Sequence, residues 1–469
     1  MQVLANILSS IKGVEEQVVK KMSAILLAVI GMSCAVTVRS IARVSGIKER
    51  TLHRFYNTSL DWNKIRWDMF EEHFRKTVGT VFLFIIDEVV EDKDGDCTAG
   101  QGYFYSGLLS RVVKGVSFLV VTMVDVNTSQ SYVLGVGQLL MTAADKLRLA
   151  KLKSDKLDLA NRKAAAAERG EAFVRRPSGR RKGTTKEVLA QRKEEGKDAH
   201  ESMVFRTAKR ILTQLAGFFK GSNAKIPKYL LGDGGFGNSY YVGLCAEIGC
   251  FLISKMKHNA VLFLPYQGKH DPHKKGTKRK YGTKVAYNNL PKDYLVETKK
   301  TATLLIHTYC FKAYNKALSD NLLNLVLIEK TDLTTGVKSK VILFSTDLDL
   351  GSEDLIKYYQ YRNEIELDFR ECKQFFGLRD FKNTAPQKVT TAVNLTFTAH
   401  LAAQLLAIKV REELGCEKLS ILDVVCYCKA ELYARQLLKL NLFGAFSILS
   451  SQQIAEVAQL EAINLRMTA

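Results

Sequence analysis

Apolar and polar positions along this chain follow two periods. From residue 1 to about 75 the apolar residues recur at helical spacing and predict helices throughout. The longest apolar run, Met22 to Val36, follows Lys20 and Lys21. It falls short of the roughly 20 residues a membrane-spanning helix needs. Its basic flank lies too deep for an ordinary signal peptide, so a buried helix is expected. Val38 to Phe55 has the shape of a helix-turn-helix: Ala42 allows close packing, Gly46 makes the turn, and Arg50, His53 and Arg54 decorate the second helix. The same pattern also occurs in ordinary helical hairpins.

Period and length then change. Thr80 to Ile86 is almost continuously apolar, which predicts a strand buried on both faces and ending at Asp87. Strands are expected at Val116–Val126 and Ser131–Val136, then a helix near Met203–Phe219 and a short strand Tyr229–Leu231 that ends at Gly232 and Asp233. A helix from Ser239 to about Ile248 and a strand Phe251–Met256 follow. Short β-type stretches come next at Val261–Phe263, Ala302–Tyr309, Asn324–Glu329 and Lys340–Ser345. Glu353 to Phe376 reads as one strong helix, Val389 to Val410 as another, and the chain from about Leu419 as helical. The pattern is a mixed α/β core interrupted twice.

Composition narrows the class. In 469 residues, 46% apolar and 25% charged content excludes a disordered chain, collagen and a polytopic membrane protein, and six prolines exclude long Pro-rich linkers. The nine cysteines are scattered without CxxC or zinc spacing, which points to reduced thiols in a cytosolic protein. Charge is the unusual feature: 69 Lys and Arg against 48 Asp and Glu give +21. Lys146 to Lys225 holds 22 basic and 9 acidic residues, and Lys255 to Lys300 holds 12 and 3, so these windows carry the whole excess. Like charges at this density repel unless a polyanion neutralises them. Nucleic acid is the first candidate and an acidic membrane surface the second.

The first basic window centres on Arg175-Arg176-Pro177 and Arg180-Arg181-Lys182, and reads as helix, basic loop around Ser178-Gly179, then helix. Its centre lacks an apolar stripe, so it is expected to be mobile in the free protein and to lie along DNA phosphates when bound, a solvated spacer being the alternative. The second includes Lys274, Lys275, Lys278, Arg279 and Lys280. His270 and His273 lie within it without Cys or carboxylate partners at ligand spacing.

Three carboxylates stand out by context. Asp87 and Asp233 each follow a buried strand, where α/β sheets place ligands, although an Asp there is often a cap or turn residue. Tyr359, Arg362, Glu366 and Lys373 fall at helical offsets of 0, 3, 7 and 14. At about 100° per residue they share an arc of roughly 60°. Beside this stripe Ile365, Phe369, Cys372 and Phe376 form an apolar stripe facing a core, while Glu364, Asp368 and Glu371 are expected on the solvent face. A surface helix with ordinary Arg362–Glu366 pairing is the bland alternative.

Tyr-x2-Arg-x3-Glu-x6-Lys resembles the signature of a large group of bacterial insertion-sequence transposases of the DDE class. Leu231-Gly232-Asp233-Gly234-Gly235-Phe236 resembles that group's second-aspartate motif, and the likeness extends over about residues 35 to 410. It implies a ribonuclease-H-like α/β catalytic core, interrupted by a basic insertion and a β-rich insertion, with helical N- and C-terminal regions. The implied divisions are 1–75 (helical, DNA-binding), 76–145, 203–259 and 346–412 (core), 146–202 (basic insertion), 260–345 (β-rich insertion gripping a transposon end), and 413–469 (helical, for oligomerisation). Asp87, Asp233 and Glu366 would hold two Mg²⁺ ions, or Mn²⁺, about 4 Å apart for strand cleavage and strand transfer, in a cut-and-paste pathway. Tyr359, Arg362 and Lys373 would contact DNA near the cut, and Lys274, Lys275, Lys278, Arg279, Lys280, Arg50 and Arg54 would bind DNA elsewhere. The implied partner is double-stranded DNA, both transposon ends and target, bound by a homodimer in the bacterial cytoplasm or nucleoid, with no membrane and no nucleotide cofactor.

Some relatives receive a flipped base on a Trp of the β-rich insertion. The only tryptophans here are Trp62 and Trp67, and Val341-Ile342-Leu343-Phe344 occupies the comparable stretch. Flipping would therefore use Phe344, a tyrosine or nothing. Two other readings compete: a catalytically retired, transposase-derived DNA-binding protein, and a metal-dependent nuclease that never joins ends. Gly232 to Gly237 also contains GxGxxG, but the acidic residue a dinucleotide site needs about 20 residues on is replaced by basic and polar residues from Ser254 to Asn259.

Overall fold

The computed structural model describes residues 2–77, 81–107, 109–170, 173, 201–222, 224–268, 279–318, 320–416, 418–439 and 454. The centre of the first basic window, together with His270, His273, Lys274, Lys275 and Lys278, lies outside them.

The chain opens with helices α1 (Gln2–Leu8), α2 (Glu16–Gly31), α3 (Val38–Ser45), α4 (Glu49–Asn57) and α5 (Trp62–Lys76). The turn between α3 and α4 is at Gly46, whose φ of +73° suits glycine, and Thr37 and Ser40 cap α3 reciprocally. The first ten residues of the apolar run form the C-terminal part of α2, buried continuously from Ile25 to Gly31. It packs on α11 (Pro386–Leu414) and α12 (Ile421–Lys439). Gly31 permits that approach, since a Cβ there would lie 2.9 Å from the Cys428 carbonyl carbon. Arg66, fully buried, ties three elements together: it donates to Asn63 Oδ1 at 2.6 Å, Leu134 O at 3.2 Å and Asn394 Oδ1 at 3.0 Å. Burial pulls its guanidinium down to about 9.

A mixed sheet of twelve strands follows. Strands β1 (Phe82–Asp92), β2 (Gly102–Ser106), β3 (Arg111–Asp125) and β4 (Gln130–Gln138) are antiparallel neighbours, with β2 and β4 sharing one edge of β3. After α6 (Ala143–Glu168) and α7 (Met203–Gly221), strands β5 (Tyr229–Gly232) and β6 (Phe251–Met256) join parallel to β1, connected by α8 (Ser239–Ile248). The order across this part is β4-β3-β1-β5-β6. The sheet continues through β12 (Lys338–Ser345), β11 (Leu322–Asp332) and β10 (Leu304–Tyr314) to β7 (Phe263–Pro265) and β8 (Tyr281–Lys284), while β9 (Leu295–Lys300) flanks β10. Helices α9 (Ser352–Gln360) and α10 (Glu364–Phe375) then lead into α11.

Three sequence expectations need correction. The strand through Asp87 does not end there: it runs on to Asp92 because β3 keeps pairing with it, Asp87 opposite Val120. Glu353 to Phe376 is not one helix, since the 3₁₀ turn Tyr361–Asn363 separates α9 from α10. The supposed solvent face of that helix is largely buried as well. Asp368 is 1% exposed and accepts hydroxyls from Thr122 at 2.7 Å and Ser131 at 2.5 Å, while Glu371 meets the buried His400 at 2.8 Å. β4 packs on the α10 flank opposite the cleft and supplies Ser131 there, a tertiary contact that periodicity alone does not reveal.

Candidate active site

The site lies where the sheet changes partners. β1 and β5 pair only over Leu83–Ile85 and Tyr229–Leu231. Beyond that, β1 continues on β3 alone, and a cleft of about 1390 Å³ opens on the side β5 has left. Asp87 and Asp233 each stand two residues past the last pair, Ile85 with Leu231, so parallel register sets them level at the mouth of the cleft. This is where open α/β sheets place ligands.

Each acid is held differently. Asp87 accepts the Glu88 N–H at 2.8 Å and Arg362 Nη2 at 3.1 Å. Burial, with Asp233 and Glu366 adding to it, pushes Asp87 up to about 6 against the pull of Arg362 and the Glu88 N–H. Asp233 accepts the Gly235 N–H on Oδ1 at 2.7 Å, while its carbonyl takes the Ser254 hydroxyl at 2.7 Å. Glu366, on the first turn of α10, approaches Arg362 Nη2 at 2.7 Å. One guanidinium thus bridges two carboxylates brought from distant parts of the chain.

The four residues of the Tyr–Arg–Glu–Lys spacing gather at this site, although a 3₁₀ turn interrupts the helix between Tyr359 and Glu366. Arg362, Glu366 and Lys373 line the cleft. Tyr359 is half-buried at the end of α9, and burial raises its hydroxyl above the usual range, with Asp233, Asp87 and Glu366 contributing. Lys373 is engaged: its ammonium lies 2.6 Å from Glu91, whose side chain is 2% exposed. Burial raises Glu91 despite that partner. Lys373, expected to contact DNA near the cut, thus lines the cleft with its ammonium paired to a buried carboxylate.

The remaining sequence candidates among the described residues, Arg50, Arg54, Arg279 and Lys280, do not line this cleft. Arg50 is exposed on α4 and Arg54 is exposed one turn later. The Arg279 guanidinium lies over Tyr266 at 4.7 Å, and Lys280 bonds to Asp320. Trp62 and Trp67 are 3% and 2% exposed in the helical core, and Phe344 is fully buried in β12, so none of the three presents a face to a base.

The cleft also contains residues that sequence reasoning missed. Glu88 opens into it, and burial followed by Asp87 and Asp233 pushes its carboxyl up to about 7. Strand alternation alone would have turned Glu88 away from Asp87; the cleft reaches both because the β5 edge ends before them. The Tyr241 hydroxyl is buried in the cleft wall without a hydrogen-bond partner among the described residues. Arg370 and Arg379 add cationic rims.

The cleft thus combines acids in its wall with arginines at its rim. The sequence model described as DDE superfamily endonuclease matches residues 16–304. The chain belongs to the DDE superfamily of endonucleases. The matched span contains Asp87 and Asp233 and ends before Glu366. No curated protein gives a significant match. Among solved structures, this DDE-superfamily chain is similar to a cryo-EM structure of a piggyBac transposase synaptic complex with hairpin DNA. Identity is 10% and the TM-score 0.37, covering 99% of this chain and 83% of that one. That distance transfers no residue role to this chain.

Proposed function

We propose that this chain is a DNA transposase of the DDE class, cutting DNA at transposon ends and joining it to a target through Asp87, Asp233 and Glu366. The observation that carries the reading is the convergence of these three acids, from β1, the loop after β5 and α10, on one cleft that arginines border. The order β4-β3-β1-β5-β6, three antiparallel strands followed by two parallel to the first, supports a ribonuclease-H-like core. On this reading the later strands and the first basic window are insertions into that core.

The donor set suits a hard divalent cation. Among the described residues no three His, Cys, Asp or Glu already stand at metal-holding separation. The acids of the cleft nevertheless offer oxygen only, and Arg362 supplies positive charge between two of them. Asp87, Asp233 and Glu366 would be the ligands. The chemistry supplied by two Mg²⁺ or Mn²⁺ ions, when bound, is activation of the attacking water or 3′-hydroxyl and stabilisation of the leaving oxygen.

The protein's own groups do the positioning. Arg362, Arg370 and Arg379 hold phosphate oxygens at the rim, and the buried Tyr241 hydroxyl in the cleft wall is placed to orient a group beside the reacting phosphate. Arg50 and Arg54 on α4 offer a second DNA contact in helix-turn-helix form. The partner is double-stranded DNA, bound by a homodimer.

The test is nicking of supercoiled plasmid by the purified full chain. Cutting is expected with Mg²⁺ or Mn²⁺, binding with little cutting in Ca²⁺, and none with excess chelator. Cutting that survives chelation, or that requires Zn²⁺, contradicts the reading.

A further inference from the structure

A second groove, of about 660 Å³, lies beside the acidic cleft, and the two share Gly235 and Asn238. Its character is opposite. Among the described residues no carboxylate lines it, whereas Lys255 and Lys257 from the end of β6 and Lys316 after β10 all do. Lys255 and Lys257 are exposed and have no carboxylate partner among the described residues.

The other walls fit a backbone rather than a base. Gly234, Gly235 and Gly237 bring the loop after Asp233 close to β6. A Cβ on Gly237 would lie 2.9 Å from Ser254 Oγ and 3.2 Å from Phe344 Cε1, so the glycine keeps this wall thin. The glycine run that resembles a dinucleotide loop thus has a packing reason. The Phe263 ring carries the Lys316 ammonium at 4.8 Å, so it offers no free stacking face on that side. Asn315 is 6% exposed, and among the described residues its side-chain N–H₂ meets only the weak acceptor Met256 Sδ, at 3.7 Å. A buried donor so poorly satisfied suits a phosphate oxygen.

From this geometry we infer that the groove of Lys255, Lys257, Lys316 and Asn315 binds the sugar–phosphate backbone of the DNA strand that continues past the scissile phosphate. The inference rests on the DNA-cutting reading above, because the occupant is identified by continuity with the acidic cleft. A strand reaching Asp233 meets these lysines immediately beyond the Gly235–Asn238 loop. Their charge neutralises phosphates without reading sequence.

The test is lysine-acetylation footprinting of the full chain in Ca²⁺, with and without a 40-base-pair duplex and with polyglutamate as a control polyanion. Modification of Lys255 and Lys257 should fall at least about fivefold with duplex. The variant K255Q/K257Q should flatten log K against log salt by about 1.8, two contacts at 0.9 each. If other lysines are protected while Lys255 and Lys257 react as before, the groove assignment is wrong and the DNA-cutting reading stands. Protection by polyglutamate but not by duplex assigns an acidic protein and also overturns it. If no lysine is protected and plasmid is never nicked, the underlying reading fails first.

Discussion

Arg362 reaches Asp87 at 3.1 Å across 275 residues of sequence, and the same nitrogen holds Glu366 at 2.7 Å. The side chains of Arg362 and Asp87 are 20% and 17% exposed, so this is a largely sheltered contact, whereas Glu366 remains 55% exposed. A fixed positive charge between two acids screens their repulsion and competes with any cation they would bind. Arg362→Gln should therefore tighten Mn²⁺ binding to the DNA-free protein by about tenfold, roughly 1.4 kcal/mol. Titration calorimetry or Mn²⁺ paramagnetic resonance reads this directly. Unchanged or weaker affinity would show that the guanidinium does not compete.

Lys373 and Glu91 make a second, structural prediction. Lys373→Met leaves Glu91 buried without its partner and should cost roughly 3 kcal/mol in urea unfolding. The double variant E91Q/K373M should recover most of that loss, because the uncompensated charge is gone. If K373M instead leaves stability intact and flattens the salt dependence of DNA binding, Lys373 is a phosphate ligand after all.

Asp368 anchors the helix that carries Glu366. Burial raises its carboxyl above the usual range, although Thr122, Ser131 and His400 favour the charged form. Asp368→Ala would strand two buried hydroxyls and should cost about 2–4 kcal/mol, whereas Asp368→Asn, neutral and of the same shape, should cost under about 1.5. Thermal and urea unfolding of both variants check this order. Equal losses would mean that charge, not shape and hydrogen bonding, matters at this position.

How far the sequence reached is clearest at these residues. Asp87, Asp233 and Glu366 were all legible, the first two from apolar runs that stop and the third from helical spacing, and the structure brings them to one cleft. The β6 strand and α8 were also readable, since both are short, strongly patterned and bounded by turn residues. Partnership was not readable. The partner of Lys373 was not legible because Glu91 lies on a strand whose length depends on pairing with β3. Asp368 looked solvated because its partners, Thr122 and Ser131, come from 246 and 237 residues away. Periodicity shows which side of an element is apolar; it does not show what stands opposite a polar side chain.

The central claim, that three acids form one catalytic site, is tested most directly by comparing cleavage and binding in the same variants. Asp87→Asn, Asp233→Asn and Glu366→Gln should each reduce Mn²⁺-dependent nicking to background while leaving DNA affinity within a few-fold of the parent chain. A Glu366→Gln protein that binds DNA normally and still cuts at near the parent rate would contradict the account.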